Sequence, residues 1–405
     1  MEPILCSSPG KIILFGEHAV VYGKKAIAGS IDLRTYGLLL GDDGIQINCP
    51  DINLNLKVKL NELPWSQFES YKKLFNLNTI IEDDNIEQDI FFSLVDKITI
   101  DPTEIESLFQ NLLLKEYSLS QRSAVICFYF LITLVFDFSE VQNNGFKIQI
   151  NSRIPVGAGL GSSASFSVTL CTLLLSKKWK KIQSLNETMK YLINKISFLL
   201  EKIIHGNPSG LDNTVSCYGG FLSFKNLKFE NLKCSNQFNI LISNTKIPRN
   251  TKILVQNVFK LYQKYPSIIQ PILDSIDNIS NTFEKLLKES NNNNDNINQQ
   301  LKDLIPINQQ LLKILTVSHE QIEKIIELSQ SFDIVTKLTG AGGGGCTISI
   351  LDDNSTNNNK LIDSLIQNNI DVYPTTLAGK GVTFHCLNDN TMNIINYYNQ
   401  LINKI

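Results

Sequence analysis

The stretch that decides the fold is a glycine- and serine-rich run at residues 155–165, which reads Pro155-Val156-Gly157-Ala158-Gly159-Leu160-Gly161-Ser162-Ser163-Ala164-Ser165. Alternating apolar residues in segment 146–150 predict a strand before the run, and the composition of 162–179 predicts a helix after it. Glycines let backbone N–H groups turn toward one point, and a helix N-terminus adds partial positive charge. The pattern therefore predicts an anion cradle, although a tight turn with a serine N-cap would have the same sequence.

A second motif lies near the N-terminus, where Lys11 interrupts the apolar segment 4–14 that alternation predicts to be a strand. A buried ammonium needs a phosphate or a carboxylate as its partner, unless the side chain reaches solvent. The motif is not a Walker A loop, because Ile12 stands where that loop requires Ser or Thr. It continues through Gly16-Glu17-His18-Ala19-Val20-Val21-Tyr22-Gly23.

The third glycine-rich stretch reads Lys337-Leu338-Thr339-Gly340-Ala341-Gly342-Gly343-Gly344-Gly345-Cys346. It has the G-x-G-x-x-G spacing, but segment 346–351 alternates like a strand, whereas a dinucleotide-binding motif is followed by a helix. Ordered glycines cost about 0.5–1 kcal/mol each relative to alanine, so we expect a close backbone or ligand contact here. A flexible hinge is the alternative.

Two acidic residues are candidates for chemistry. Glu201 lies off the apolar stripe of the helix predicted from 189 to 204, so it faces either solvent or a cleft, and its position alone favours solvent. Asp212 follows the turn Asn207-Pro208-Ser209-Gly210, where it either presents a carboxylate rigidly or caps the next helix.

The composition of the 405 residues excludes several classes of protein. Lysine plus arginine number 37 against 39 acidic residues, so no global field attracts nucleic acid or a membrane surface. The eight cysteines are scattered without metal-binding spacing, which argues against zinc and disulfide frameworks. The most apolar run, 124–136, is shorter than the ~20 residues of a membrane span and predicts a buried helix. The N-terminal residues show no targeting signal, so we expect a cytoplasmic protein.

Strands and helices alternate in short units, which predicts an α+β protein. An Asn/Lys-rich connector after Phe224 places the boundary between two domains near residue 225, giving domains 1–225 and 226–405. The asparagine tract 291–295 predicts a flexible surface loop.

The three glycine-rich stretches, in this order, resemble those of the GHMP kinases, which bind ATP without a Walker A loop. The strings at 16–23, 204–210 and 244–251 are similar to those of the members that phosphorylate mevalonate. The resemblance covers roughly residues 4–390. It implies an ATP-binding N-terminal domain like domain 2 of ribosomal protein S5, a ferredoxin-like C-terminal domain, and an active site in the cleft between them.

The resemblance also implies roles for single residues in transferring phosphate from ATP to the C5 hydroxyl of mevalonate. Asp212 would be the catalytic base, paired with Lys11, and Ser163 and Glu201 would hold Mg²⁺. The nucleotide would be bound by Lys11, Ser152, Gly157, Ala158, Gly159, Leu160, Gly161, Ser162 and Ser163. Mevalonate would be bound by Asp212, Glu17, His18 and Thr245. A homodimer is implied as well, and Asp51 stands where similar enzymes are expected to carry asparagine.

Two other functions remain open at this point. One is a GHMP kinase for phosphomevalonate or galactose, and the other is an inactive member that senses a ligand and binds a protein partner. An inactive sensor need not keep Lys11, Ser163, Glu201 and Asp212 together, so their presence argues for catalysis.

Overall fold

The structure is a computed structural model that describes residues 2–74, 87–113, 115–179, 184–232, 234, 237–289, 294–353, 355–385 and 391–403. Its strands are β1 (Ile4–Phe15), β2 (Ala26–Gly41), β3 (Ile45–Cys49), β4 (Leu54–Lys57), β5 (Phe146–Ser152), β6 (Phe221–Lys225), β7 (Lys228–Leu232), β8 (Phe238–Asn244), β9 (Thr336–Leu338), β10 (Cys346–Ile350), β11 (Asp371–Leu377) and β12 (Thr383–Phe384).

The α-helices of the described residues are α1 (Trp65–Leu74), α2 (Gln88–Asp96), α3 (Pro102–Phe109), α4 (Leu119–Val135), α5 (Phe138–Asn143), α6 (Ser162–Lys178), α7 (Glu187–His205), α8 (Leu211–Tyr218), α9 (Thr251–Lys264), α10 (Pro266–Glu289), α11 (Asn294–Ile314), α12 (Glu320–Gln330), α13 (Thr356–Gln367) and α14 (Thr391–Asn403). A short 3₁₀ helix, Ala19–Tyr22, follows β1. The α+β expectation is confirmed.

Within the described residues the strands join in one sheet, whose main path is β4-β3-β5-β2-β11-β8-β10-β9. The long strand β2 pairs with β1, β5, β6 and β11, and all four pairings are antiparallel. Only Asp32 and the terminal Gly41 of β2 are exposed, as expected for a central strand that is covered on both faces. The sheet is therefore continuous from the N-terminal to the C-terminal part of the chain.

Helix α4 confirms the buried helix predicted from the apolar run. A capping box begins it, because the Ser118 side chain accepts from the Gln121 N–H and the Gln121 side chain accepts from the Ser118 N–H. Every residue from Ala124 to Val135 is buried in the core. No helix among the described residues is long and apolar enough to cross a membrane.

One expectation about connecting segments is wrong, and a second is wrong for the residues that the structure describes. The segment after Phe224 is a β-hairpin, β6–β7, and not an open connector. Of the tract 291–295, residues 291–293 lie outside the described part, while Asn294 and Asp295 begin α11 and are not loop residues. The domain boundary near residue 225 remains a prediction, and it coincides with the turn of this hairpin.

Candidate active site

Lys11 and Asp212 form an ion pair on the wall of a cavity of about 370 Å³. The Lys11 Nζ atom lies 3.1 Å from Asp212 Oδ1, and the lysine side chain is only 12% exposed. The N-cap of α8 is Gly210, with φ 80°, so Asp212 lies in the first turn and does not cap the helix. The structure thus brings together the expected base and its ammonium partner, and the solvent-exposed lysine and helix-cap alternatives are wrong.

The glycine loop before α6 has the geometry of an anion cradle. Gly157, Gly159 and Gly161 all have left-handed backbones, with φ between 74° and 76°. The N-cap of α6 is Gly161, which has no side chain, so the serine N-cap alternative is wrong. The first N–H groups of a helix have no partner within it, so those at the start of α6 are available to an anion. The Lys11 N–H donates to Leu160 O at 2.8 Å, which joins the loop to β1.

Glu201 on α7 faces Ser163 on α6. Its side chain is 3% exposed, so the solvent-facing orientation that its position favoured is wrong. Ser163 Oγ and Ser167 Oγ each donate to one of its carboxylate oxygens at 3.2 Å. Burial, followed by the negative charge of Asp212, raises the pKa of Glu201 to about 8. The expected pair of Mg²⁺ ligands therefore lies close together, in a site that stabilises the protonated carboxyl when no cation is bound.

His205 was not predicted as a site residue, although it lies in the 204–210 string. Its Nε2 lies 3.0 Å from Ser163 Oγ and 3.7 Å from Glu201 Oε2. It is the last residue of α7 and contacts a residue of α6, so its sequence position alone gave no sign of this contact. No group of three or more His, Cys, Asp or Glu side chains suited to a metal ion occurs among the described residues.

The three other side chains expected at the mevalonate site are placed differently from one another. His18 borders the cavity with φ 58°, its Nε2 donates to Ala341 O at 2.8 Å, and its buried Nδ1 has no partner among the described residues. Burial also lowers the pKa of His18, which favours the neutral imidazole.

Glu17 borders the cavity, but its carboxylate points away from it and forms a fully buried ion pair with Lys337. Thr245 Oγ1 donates to Gly345 O at 2.8 Å and does not line the cavity.

Arg249 is a second residue that the sequence reasoning missed, although it belongs to the 244–251 string. Its guanidinium lines the cavity and donates to Ala158 O at 3.1 Å and to Thr339 O at 3.3 Å. A Cβ atom added to Gly159 would lie 1.3 Å from Arg249 Nη2. No described carboxylate pairs with this cation. Both its acceptors are backbone carbonyls from distant glycine-rich stretches, so no local pattern could have identified it.

Ser152 lies at the end of β5. Its Oγ is 2.9 Å from Thr35 Oγ1, and its N–H donates to the Asp51 carboxylate at 2.6 Å. The nucleotide contact expected of Ser152 stays a prediction, and Asp51 binds the strand end in this structure.

The third glycine-rich stretch closes tightly against its neighbours. All five of its glycines have positive φ, and a Cβ at Gly342 would lie 2.1 Å from Val317 O. Arg249 approaches within 3.2 Å of the corresponding position at Gly340. These approaches confirm the expected close backbone contact, and they argue against a flexible hinge.

A glycine cradle and a lysine–aspartate pair at one cavity, together with a hydroxyl–carboxylate pair at the start of α6, define a small-molecule kinase site. The profile of the GHMP kinases N terminal domain matches residues 128–220, and that of the GHMP kinases C terminal matches residues 281–370.

The comparisons with whole proteins are more specific. The mevalonate kinase of Schizosaccharomyces pombe is 35% identical over 94% of this chain and 92% of its own length. That of Homo sapiens is 36% identical over 86% of each chain. The crystal structure of the Methanococcus jannaschii mevalonate kinase superposes with a TM-score of 0.62 and 26% identity, covering 92% of this chain and 98% of that one. The chain belongs to the mevalonate kinase family of the GHMP kinases.

Proposed function

We propose that this enzyme transfers the γ-phosphoryl group of ATP to the C5 hydroxyl of mevalonate, giving 5-phosphomevalonate and ADP. The observation that carries the proposal is the Lys11–Asp212 pair at the wall of the cavity. Phosphoryl transfer depends mainly on positioning and charge neutralisation. A carboxylate beside an ammonium, next to a phosphate cradle, supplies both.

Each group then has a defined step. Asp212 accepts the proton of the C5 hydroxyl while the new O–P bond forms and the bond from the γ-phosphorus to the bridging oxygen of ADP breaks. Lys11 neutralises the charge on the transferring group. The glycine loop and the N-terminus of α6 hold the remaining phosphate oxygens.

Ser163 and Glu201 are the residues we propose as Mg²⁺ ligands. A hydroxyl and a carboxylate 3.2 Å apart fit this hard cation, which usually takes one or two protein ligands plus phosphate oxygens and water. Among the described residues, the half-exposed His205 is the only basic side chain at salt-bridge distance from the buried Glu201. No lysine or arginine of the described residues lies that close. When bound, Mg²⁺ would neutralise the negative charge of the phosphates.

The acceptor side of the cavity favours a hydroxy acid. Because His18 Nε2 donates to Ala341 O, its Nδ1 in the neutral ring is an acceptor, so it matches a substrate hydroxyl. Arg249 offers a guanidinium without a protein carboxylate, and mevalonate carries one carboxylate. Galactose has no anionic group to match this arginine.

The proposal is tested by measuring ADP formation with mevalonate, phosphomevalonate and galactose as acceptors. We expect turnover with mevalonate, and a KM for mevalonate raised about 10- to 100-fold in Arg249→Gln, because a charge-assisted hydrogen bond contributes roughly 1.5–3 kcal/mol. Arg249→Lys, which keeps the charge, should be affected less. A preference for another acceptor, or binding without turnover, would contradict the proposed function.

Two further proposals concern the whole protein. The homodimer rests on the resemblance, and sedimentation velocity tests it. A cytoplasmic location rests on the composition, and imaging of the tagged protein in cells tests it.

A further inference from the structure

Beside the cavity lies a buried polar cluster formed by Glu17, Lys337 and Asn308. The side chains of Glu17 and Lys337 are both 0% exposed and form an ion pair. Lys337 Nζ also donates to Leu338 O at 2.7 Å, and Asn308 Nδ2 donates to the second Glu17 oxygen at 3.2 Å. The cluster joins three elements: the segment after β1, helix α11 and strand β9.

Such a pair is a poor device for stability alone. Removing two charges from water carries a large desolvation penalty, and apolar residues of similar volume often stabilise a fold as well or better. A buried ion pair is better explained if it holds the backbone around it in one conformation out of several. The conformation of His18, the residue after Glu17, shows which one is held.

His18, directly after Glu17, has a strained backbone. Its φ of 58° is positive, a backbone conformation that favours glycine and that a residue with a Cβ rarely adopts. In this conformation its ring lines the cavity and its Nε2 reaches Ala341 O. Ala341 belongs to the same glycine-rich stretch as Lys337. Two contacts, Glu17–Lys337 and His18–Ala341, therefore tie one segment to the other.

We propose that Lys337 is a positioning residue for the reaction: through Glu17 it holds His18 in its strained conformation, so that the imidazole stays at the wall of the acceptor cavity. The Glu17 carboxylate then binds Lys337 behind the cavity wall and does not bind the acceptor itself. Asn308 holds the second carboxylate oxygen and fixes its orientation. This inference rests on the proposed function, because the acceptor must occupy the cavity that His18 lines.

The test removes the tie without leaving a buried charge. Lys337→Met alone strands the Glu17 carboxylate and is expected to be strongly destabilised. The double variant Glu17→Gln/Lys337→Met is neutral and of similar size, so it is the informative protein. We expect it to fold with a melting temperature above that of Lys337→Met, with the KM for mevalonate raised at least about 10-fold and the KM for ATP changed less than about twofold. Asn308→Ala should show a weaker effect in the same direction.

Nitrogen NMR supplies a second measurement, the chemical shift of His18, which should not depend on Lys337 if that residue only stabilises the fold. The chain has four histidines, so ¹⁵N-histidine labelling gives a spectrum in which His18 is assigned by its loss in His18→Gln. Adding mevalonate with a non-hydrolysable ATP analogue should shift the His18 Nδ1 resonance in the wild type and not in the double variant.

Wild-type KM for mevalonate and a wild-type shift of Nδ1 in a folded double variant would overturn the inference. Failure of the proposed function looks different, because the wild-type protein itself would then not phosphorylate mevalonate.

Discussion

The Lys11 ammonium nitrogen lies 3.1 Å from Oδ1 of Asp212, and this contact joins β1 to the first turn of α8. If Asp212 is the base, Asp212→Asn should fold normally and lose at least ~100-fold in kcat, because general-base catalysis contributes about 10²–10⁴-fold. Steady-state kinetics and thermal melts of the purified variant check this. Near-wild-type turnover would refute the assignment.

Glu201→Gln should raise the Mg²⁺ concentration that gives half-maximal activity, because an amide oxygen binds a hard cation less strongly than a carboxylate does. The amide also resembles the protonated carboxyl that the buried site favours, so folding should be preserved. Activity is titrated with Mg²⁺ at fixed ATP. An unchanged titration would show that Glu201 is not a metal ligand.

Ser163→Ala and Ser162→Ala separate metal binding from the phosphate cradle. Both keep the N–H groups at the start of α6, so ATP should still bind, but of these two serines only Ser163 donates to Glu201. We expect a large fall in kcat and a shifted Mg²⁺ dependence in Ser163→Ala, with a modest change in nucleotide affinity. Equal metal defects in both variants would mean that the ligand is wrongly assigned to one serine.

Gly159→Ala tests whether the glycine loop holds Arg249 in place. Its Cβ would lie 1.3 Å from Arg249 Nη2, so the guanidinium must move away, and we expect the KM for mevalonate to rise about 10-fold or more. Gly157→Ala is a matched control, since its φ is also about 75° but nothing lies within 4 Å of the added atom. Both variants should lose roughly 1–2 kcal/mol of stability to backbone strain, but only Gly159→Ala should lose acceptor affinity. Similar KM values in the two variants would contradict this arrangement.

His385 should make the stability of the protein depend on pH. Burial and, to a smaller degree, the positive charge of Arg34 lower the pKa of His385 to about 4, and its Nε2 lies 3.0 Å from Ser7 Oγ. Between pH ~6.5 and ~4 the unfolded chain binds a proton that the folded chain resists, so the free energy of unfolding falls as pH falls through this window, by up to about 1.4 kcal/mol per pH unit.

Chemical denaturation at several pH values checks this dependence. His385→Asn should have a flatter profile between pH ~4 and ~6.5. Parallel profiles for the two proteins would show that His385 does not titrate as described.

Much of the fold could be predicted because its signals are local. Alternation identified β1, β5 and β10, and the helices predicted at 162–179 and 189–204 begin and end within two residues of α6 and α7. The β6–β7 hairpin was missed because β7 is almost entirely exposed, so it lacks the apolar alternation of a half-buried strand.

The site was predictable only in part, for a physical reason. Lys11, Ser163 and Asp212 could be predicted from sequence motifs. Arg249, His205 and Lys337 also lie in such motifs, but their roles depend on contacts with distant segments that the motifs do not show. Glu201 shows the limit most clearly. Its angle on an isolated helix favoured solvent, but α6 packs against that face of α7 and encloses the carboxylate. A helical wheel describes one helix and cannot indicate a second neighbour.

The pairing of the first strand with the last has a consequence for synthesis on the ribosome. In β1, Cys6 pairs with Phe384 of β12, and Ile31 of β2 pairs with Leu377 of β11. At translation rates of roughly 5–20 residues per second, the N-terminal strands must wait on the order of twenty seconds to more than a minute for these partners. During that interval the nascent chain exposes an apolar strand edge, which is the kind of surface that aggregates or recruits chaperones. The yield of folded enzyme in cells should therefore depend on translation rate and chaperone supply more than the stability of the finished protein would suggest.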